Sequence, residues 1–343
     1  MKQTTVKTLT FASLFILSAC SSISTHKNRS NESKLNLDTL YDYQLVSSTL
    51  KESLDLGNLV ISVKDTDVVF LGELHTHQAS HKFQLDFLVA LYRQNPKIVL
   101  SMEQFSRDSQ AILSGYLEGK YGEETLIEDG DGWSDYKGSY RAIVEFAREK
   151  NIPIIAANAP AMFVRCVGKE GASFLERLPK EKSEWASKKL DLENEKYKAK
   201  FMSFIKEAGR SHGQTSDVAT KRQMNTYAAQ LLRDTTMAES IASALETYPD
   251  HQIVHLNGSF HSDGRLGTVG VLETTVPEVK ASVVSPLMVD KIDIETISQE
   301  QFNQGEFLYL LKELPERYLD KDKEMAAITK LIRERMKKKC EIE

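Results

Sequence analysis

Short apolar runs alternate along the chain with longer stretches in which apolar residues recur at helical spacing. The run Val68-Val69-Phe70-Leu71, bounded by Asp67 and Gly72, predicts a buried strand. The stretch 81–94 then shows the spacing of an amphipathic helix that ends at Asn95-Pro96. The same patterns predict strands at 98–102, 152–157, 252–256 and 279–284, and helices at 108–117, 140–150, 218–245 and 320–339. Strands separated by helices predict an α/β fold, with a mostly parallel central sheet flanked by helices.

Three stretches depart from this alternation. Residues 183–210 are rich in Lys, Glu and aromatics without a strand pattern, so we expect a helical insertion at about 170–245 within an α/β domain of residues 41–300. Residues 123–139 are rich in Gly, Asp and Glu and predict a long loop. Residues 301–343 are expected to add an edge strand at 307–311 and a charged surface helix.

The N-terminus has the features of an export signal. A short basic region precedes an apolar run that is too short to span a bilayer and ends in Leu17-Ser18-Ala19-Cys20. This ending resembles the bacterial lipobox, in which the cysteine receives the lipid, so residues 1–20 are interpreted as a lipoprotein signal peptide and 21–40 as a polar tether. Ser21 indicates an outer-membrane lipoprotein of the cell envelope. The alternative is an ordinary secretory signal with an incidental cysteine.

Composition narrows the classes of function. The 343 residues carry a net charge of −5 with a pI near 6.0, so no basic surface indicates nucleic-acid binding. Three cysteines are too few for a disulfide scaffold. After Cys20, the remaining two are Cys166 and Cys340, and an oxidising compartment would allow them to pair.

Polar residues follow four of the predicted strands at the point where each strand ends. Glu73 and His75 follow the first strand, Glu103 the second, Asn158 the third, and Asn257 with His261 the fourth. The carboxyl ends of parallel strands share one edge of an open sheet, and ligands bind in the crevice there. Any one of these residues could be a helix cap. Together they predict a site at that edge.

The residue types leave the chemistry of this site open. Glu73, His75, Glu103 and His261 are suitable ligands for Zn or Mn, and are also candidates for catalytic groups. His77 and His81 stand four apart, but Gln78 occupies the position where a zincin protease needs Glu. Carboxylate and imidazole groups alone do not distinguish a metal centre, general acid–base catalysis and haem capture.

Several motifs resemble those of the ChaN-like haem-binding lipoproteins, within the superfamily that includes Tiki, TraB and erythromycin-esterase proteins. The resemblance runs from about 67 to 285 and rests on two Gly-x-x-His motifs after strands, at 72–75 and 258–261. Further matches are Ser-Met-Glu-Gln-Phe at 101–105, Trp133 with Tyr140-Arg141, Ala-Asn-Ala-Pro at 157–160, and the helical signature 229–238. His77 stands where the family usually has Asn, Gln104 where Met is common, and Ala142 where Pro often follows.

The resemblance implies an exported haem-binding lipoprotein associated with iron uptake. Haem needs an axial ligand, an apolar slot and partners for its propionates. Tyr140 is the leading candidate for the axial ligand, with Tyr136 and His77 behind it. Trp133 is expected to stack on the porphyrin and Arg141 to pair with a propionate. His81, the downstream histidine of the first motif, is also expected to contribute to haem binding. A half-exposed haem would favour a homodimer in which two haems stack.

Two alternatives remain at this point. The first is a metal-dependent hydrolase of peptides or esters, in which Glu73, His75, Glu103 and His261 hold a metal and its water, and Glu73 or Glu103 is the general base. The second is a non-catalytic surface lipoprotein, in which the strand-end residues only hold loops in place.

Overall fold

The computed structural model describes residues 37–207, 217–290 and 293–342. The predicted signal peptide, with Cys20, and most of the tether lie outside these residues. Residues 36–343 belong to one compact unit. No helix among the described residues is long and apolar enough to cross a membrane.

One sheet of eight strands organises the described residues, and it confirms the predicted α/β class. From edge to edge its order is β2-β1-β8-β7-β3-β6-β4-β5. The six strands from β8 to β5 pair in parallel, whereas β1 pairs antiparallel with both β8 and β2. The strands are β1 (Tyr43–Ser47), β2 (Glu52–Leu54), β3 (Val68–Glu73), β4 (Ile98–Ser106), β5 (Ile154–Asn158), β6 (Gln252–Gly258), β7 (Ala281–Val289) and β8 (Phe307–Lys312).

Helices connect the parallel strands and cover both faces of the sheet. Alternation along β3 shows the two faces: Val69 and Leu71 pack with the residues of α2 and α6, while Val68 and Phe70 pack with those of α9 and α10. The helices are α1 (Leu56–Ser62), α2 (Gln78–Gln94), α3 (Gln110–Leu117), α4 (Glu123–Glu128), α5 (Tyr136–Ser139), α6 (Arg141–Glu149), α7 (Ala161–Glu170), α8 (Glu195–Glu207), α9 (Asp217–Thr247), α10 (Thr268–Thr275), α11 (Gln299–Phe302) and α12 (Lys321–Lys337).

Two expectations about local structure are corrected. The strand at 307–311 is not at the edge of the sheet, because β1 pairs with β8 along its outer side and β2 extends the sheet further. The hairpin of β1 and β2 was not predicted, since its strands are short and half polar. The stretch 123–139 is not one long loop, because it contains α4 and α5.

The region expected to form a helical insertion contains a 3₁₀ turn at Ala172–Arg177, an irregular stretch, α8 and α9. α9 belongs to the layer that covers the sheet, because Ala238 and Ile241 are buried against strand residues. Cys166 on α7 forms a disulfide with Cys340, which joins this region to the end of the chain.

Candidate functional site

A buried carboxylate at the end of β3 is the centre of the first cluster. Glu73 is almost fully buried, and four side chains donate to its two oxygens, among them Gln104, whose Nε2 lies 3.3 Å from Oε1. His75 Nδ1 lies 2.7 Å and Tyr140 OH 2.6 Å from Oε1, and Gln84 Nε2 lies 2.8 Å from Oε2. His81 Nδ1 lies 3.6 Å from the same Oε2. Charge-assisted hydrogen bonds of this kind hold a buried carboxylate in place.

Aromatic rings lead from this carboxylate outward. The Tyr140 ring is fully buried and meets the His81 ring edge-on at 4.9 Å and the Trp133 ring at 5.8 Å. Trp133 in turn meets His75 edge-on at 5.0 Å. The side chain of His75 is 45% exposed, and Trp133 is half-buried. The first cluster therefore opens to solvent at His75 and Trp133.

The carboxylate of Glu73 and the imidazole of His75 each shift the pKa of the other toward the charged form. Burial alone would raise the pKa of Glu73, but the hydrogen bond from His75 and the charges of His81 and His75 hold it below its ordinary value. Burial would lower the pKa of His75, yet the hydrogen bond to Glu73 and the charge of Glu103 raise it. Burial, together with the neighbouring Glu73 charge, raises the pKa of Tyr140 far above its ordinary value.

A second cluster surrounds Glu103, which lies three residues before the end of β4. Its Oε2 accepts from the backbone N–H of Gly258 at 2.7 Å, and its Oε1 lies 3.3 Å from His261 Nε2. The other ring nitrogen of His261 lies 2.7 Å from Asp234 Oδ1. The imidazole is therefore held between two buried carboxylates, one from β4 and one from α9.

Further hydrogen bonds fix Asp234. Tyr197 OH donates to Oδ2 at 2.7 Å, and Thr268 Oγ1 donates to Oδ1 at 3.0 Å. Burial would lower the pKa of His261, but the charges of Glu103 and Asp234 raise it to about 10. The charge of His261 in turn holds the pKa of Glu103 far below its ordinary value. His261 is therefore an imidazolium at neutral pH and is not available as a general base.

Gly258 separates the two clusters. A Cβ at this position would lie 2.6 Å from His75 Nε2 and 3.6 Å from Glu103 Oε2. The absence of a side chain leaves the space that the His75 ring occupies. This close approach explains why glycine starts the second Gly-x-x-His motif.

The structure brings together Glu73, His75, His81, Trp133 and Tyr140 in the first cluster, and Glu103 and His261 in the second. Three expected haem contacts lie elsewhere. His77 is the N-cap of α2: Nδ1 accepts from the backbone N–H of Ala79, which leaves Nε2 to donate to the carbonyl of Lys312 at 2.9 Å. Both ring nitrogens are thus in use, and the ring is fully buried.

Tyr136 and Arg141 also lie outside the first cluster's open side. The Tyr136 ring is buried and meets Phe105 edge-on at 6.3 Å, and its hydroxyl has no hydrogen-bond partner among the described residues. Arg141 pairs with Glu123, with Nε and Nη2 at 2.5 and 2.7 Å from the two carboxylate oxygens. Arg141 is thus engaged in a surface ion pair.

Sequence reasoning missed Gln84 and Asp234. Gln84 occupies a buried position of α2 among apolar residues, and a polar residue at such a position is a signal that it has a partner. Asp234 stands in the middle of the long helix α9 and is fully buried. In the sequence, the only indication of a role for Asp234 is that it belongs to the helical signature 229–238.

The metal alternative receives no support from the geometry. Within residues 37–207, 217–290 and 293–342, no group of three or more His, Cys, Asp or Glu side chains is arranged to hold a metal ion. Glu103 and His261, which the hydrolase hypothesis assigned to the metal, instead form an ion pair.

The fold and the site define an α/β protein with imidazole and carboxylate groups at the carboxyl ends of a mostly parallel sheet. The chain belongs to the haem-binding uptake family ChaN of the Tiki superfamily, whose family profile matches residues 59–272. This match confirms the resemblance read from the two Gly-x-x-His motifs. A comparison with curated protein sequences found no match.

A solved ChaN structure shares this fold, and other solved structures match with TM-scores below 0.5. ChaN of Campylobacter jejuni, described in a structure of cofacial haem binding, is 15% identical with a TM-score of 0.60, over 79% of this chain and 98% of that chain. An erythromycin esterase mutant in its open conformation is 15% identical with a TM-score of 0.42, over 72% and 77% of the two chains. A succinoglycan biosynthesis protein is 11% identical with a TM-score of 0.43, over 75% and 90%.

Proposed function

We propose that this protein binds haem at the open side of the first cluster, as part of haem or iron uptake. Membership of a haem-binding uptake family supports this proposal, and the observation that carries it is the exposed pair His75–Trp133 beside the buried Glu73. Haem requires a ligand to iron, an apolar surface and polar partners. The first two are present at this pair.

His75 fits the role of axial ligand. Its Nδ1 donates to Glu73, which fixes the ring and leaves Nε2 as the coordinating atom. Tyr140 donates to the same oxygen of Glu73 but is fully buried, so it would reach haem only after Trp133 and His75 move aside. We therefore place His75 before Tyr140, which the family resemblance had put first.

Bound haem would supply an iron centre, and the chain's own residues hold it. Glu73 orients the imidazole, and Trp133 offers an aromatic face. His81 Nε2 is buried beside Tyr140 and has no hydrogen-bond partner within the part of the chain that the structure describes. A polar group of a ligand that enters the first cluster can therefore form a hydrogen bond with this nitrogen.

A haemin titration of residues 21–343 tests the proposal, followed by the Soret absorbance. We expect a saturable shift that His75→Ala weakens by at least about tenfold, because the imidazole that Glu73 orients toward the iron is lost. His251→Ala is the matched control, since His251 also meets an aromatic ring edge-on, Tyr248 at 5.5 Å, but at the start of β6. That variant should bind as the wild type does.

The alternatives give different results in this experiment. Loss of binding in Tyr140→Phe, with His75→Ala unaffected, would make tyrosine the ligand. If neither substitution changes binding, the site lies elsewhere in the fold. The absence of a saturable shift would contradict haem binding itself.

We also propose that the protein is exported and lipid-anchored through Cys20 in the outer membrane. The lipobox-like ending of the apolar run supports this proposal. Cells fed labelled palmitate should label the wild type and not Cys20→Ser, and labelling of both would contradict it.

A homodimer is proposed for the haem-bound state, because His75 and Trp133 would leave one face of the porphyrin open. The molar mass in solution should double when haem is added. A monomer at saturating haem would exclude this arrangement.

A further inference from the structure

The C-terminal helix α12 leaves a row of large apolar side chains in solvent. Met325, Ile328 and Leu331 are 52%, 43% and 50% exposed. They stand three residues apart, so they follow one side of the helix. Leu319, just before the helix, is 88% exposed. Exposed apolar groups that form a continuous patch indicate an interaction surface.

Basic residues occupy another side of the same helix. Lys330, Arg333 and Lys337 are all exposed, and their spacing of three and four places them together on the side next to Met325 and across the helix from Ile328 and Leu331. Residues 321–339 contain eight basic and three acidic residues, a net charge of +5. The whole chain carries −5, so the rest of it carries −10. The positive charge is therefore concentrated at one end of an acidic protein.

The end of the chain holds α12 in place. Cys340, three residues after the helix, forms the disulfide with Cys166, and Ile342 packs on the apolar cluster around Phe163. At the other end, Asp320 caps the helix by accepting from the backbone N–H groups of Asp322 and Lys323. The exposed row thus belongs to a capped helix whose C-terminal end is tied to the fold by the disulfide.

We propose that α12 binds the surface of a bilayer that contains anionic phospholipids. A basic amphipathic helix lies in the plane of such a surface, with its apolar residues below the headgroups and its lysines and arginines at the phosphates. The acidic remainder of the chain is repelled by the same surface. This charge asymmetry would orient the whole protein with α12 toward the lipid.

The bilayer suits this helix better than a protein partner does. Exposed residues occur around the helix, including Lys323, Ala326 and Glu334 as well as the apolar row, so it presents a convex rod rather than a groove. A convex rod with long apolar side chains enters an interface between headgroups and acyl chains without a shaped receptor. The proposal is independent of haem binding and of the lipid on Cys20.

Vesicle flotation of residues 21–343 tests the proposal without the contribution of a lipid anchor. This chain contains the compact unit 36–343. We expect it to float with vesicles of equal parts phosphatidylglycerol and phosphatidylcholine at about 0.05 M salt, and to be released at about 0.5 M, where charges are screened within a few ångströms. It should not float with vesicles of phosphatidylcholine alone.

Two variants and a matched control locate the binding surface. The triple change Lys330→Glu, Arg333→Glu and Lys337→Glu should weaken binding by at least about tenfold, because each basic residue near an anionic surface contributes to binding. Met325→Ser with Leu331→Ser should weaken it less. Lys64→Glu, Lys97→Glu and Lys120→Glu reverse three charges at exposed positions elsewhere and should leave more binding than the α12 triple change does.

Each other outcome overturns the proposal. Equal loss in the control triple would show a general effect of net charge. Equal binding to neutral vesicles would exclude recognition of anionic headgroups. Binding to soluble polyglutamate without binding to vesicles would assign α12 to an acidic protein partner. Because all substituted side chains are exposed, matching circular dichroism spectra should confirm that the variants are folded.

Discussion

The Glu73 and Glu103 clusters both combine carboxylate and imidazole groups. They differ in the ratio of carboxylates to imidazoles and in the solvent exposure of the imidazoles. Glu73 ends β3 and Glu103 lies three residues before the end of β4; both carboxylates are buried, and each bonds an imidazole. Glu73 is one carboxylate that serves two imidazoles and the phenol of Tyr140. In the other cluster, Glu103 and Asp234 are two carboxylates that serve one imidazole.

In the proposed function, this difference separates the haem-binding surface from a structural ion pair. The side chain of His75 is 45% exposed, whereas that of His261 is 7% exposed and pairs on both nitrogens. A buried imidazolium between two carboxylates is locked in one protonation state. An exposed imidazole with one carboxylate keeps a free nitrogen for a ligand. The imidazoles that follow the neighbouring strands β3 and β6 therefore have different proposed roles.

The largest expected effect is on stability, from removal of the shared imidazolium. His261→Ala leaves Glu103 and Asp234 buried near each other without their counter-ion, so we expect the free energy of unfolding to fall by about 3–5 kcal/mol. His75→Ala, at an exposed position, should lower it by less than about 1 kcal/mol. Urea unfolding at pH 7 measures both. Equal losses would remove the distinction between the clusters.

The next effect is a dependence of stability on pH. The pKa of His261 is raised from 6.5 to about 10 in the folded protein. Its stabilising contribution is complete below pH 6.5 and is lost as the pH rises through 10. The free energy of unfolding should therefore fall over this interval, by on the order of a few kcal/mol. The same series on His261→Gln should be flatter, and an equally steep fall there would assign the effect to other groups.

The smallest effect concerns the boundary between the clusters. Gly258→Ala places a methyl group 2.6 Å from the present position of His75 Nε2, so the ring must move. We expect a loss of about 1–3 kcal/mol in stability, together with weaker haem binding. Gly138→Ala, where a Cβ would meet no atom within 4 Å, is the control. Unchanged haem affinity in Gly258→Ala would show that the position of His75 does not matter for binding.

The apolar patterns predicted the buried strands well because each strand is continuous in sequence and buried on both faces. β3, β4, β6 and β7 all fall at predicted runs. The pattern failed for β1 and β2, whose residues are partly polar. β1 pairs with β8, and this pairing joins Tyr43 to Leu311, 268 positions apart along the chain. The place of β8 inside the sheet follows from that distant pairing.

The site was predicted as a set of strand-end residues, and two of its features followed from local sequence. A glycine stands three residues before each histidine, and in the first motif the carboxylate of Glu73 is also a neighbour along the chain. The partners were not predictable in the same way. Tyr140 lies 67 residues from Glu73, and Asp234 lies 27 residues from His261 on a different element.

Sequence alone determined the α/β class, the strand ends that carry Glu73, His75, Glu103 and His261, and the charge of the C-terminal helix. These properties depend on the spacing of residues within one element. Only the tertiary structure decided that His77 caps a helix, that Tyr140 is covered, and that His75 is open while His261 is enclosed. Burial and hydrogen-bond partners arise where distant elements pack together, and no local pattern contains that information.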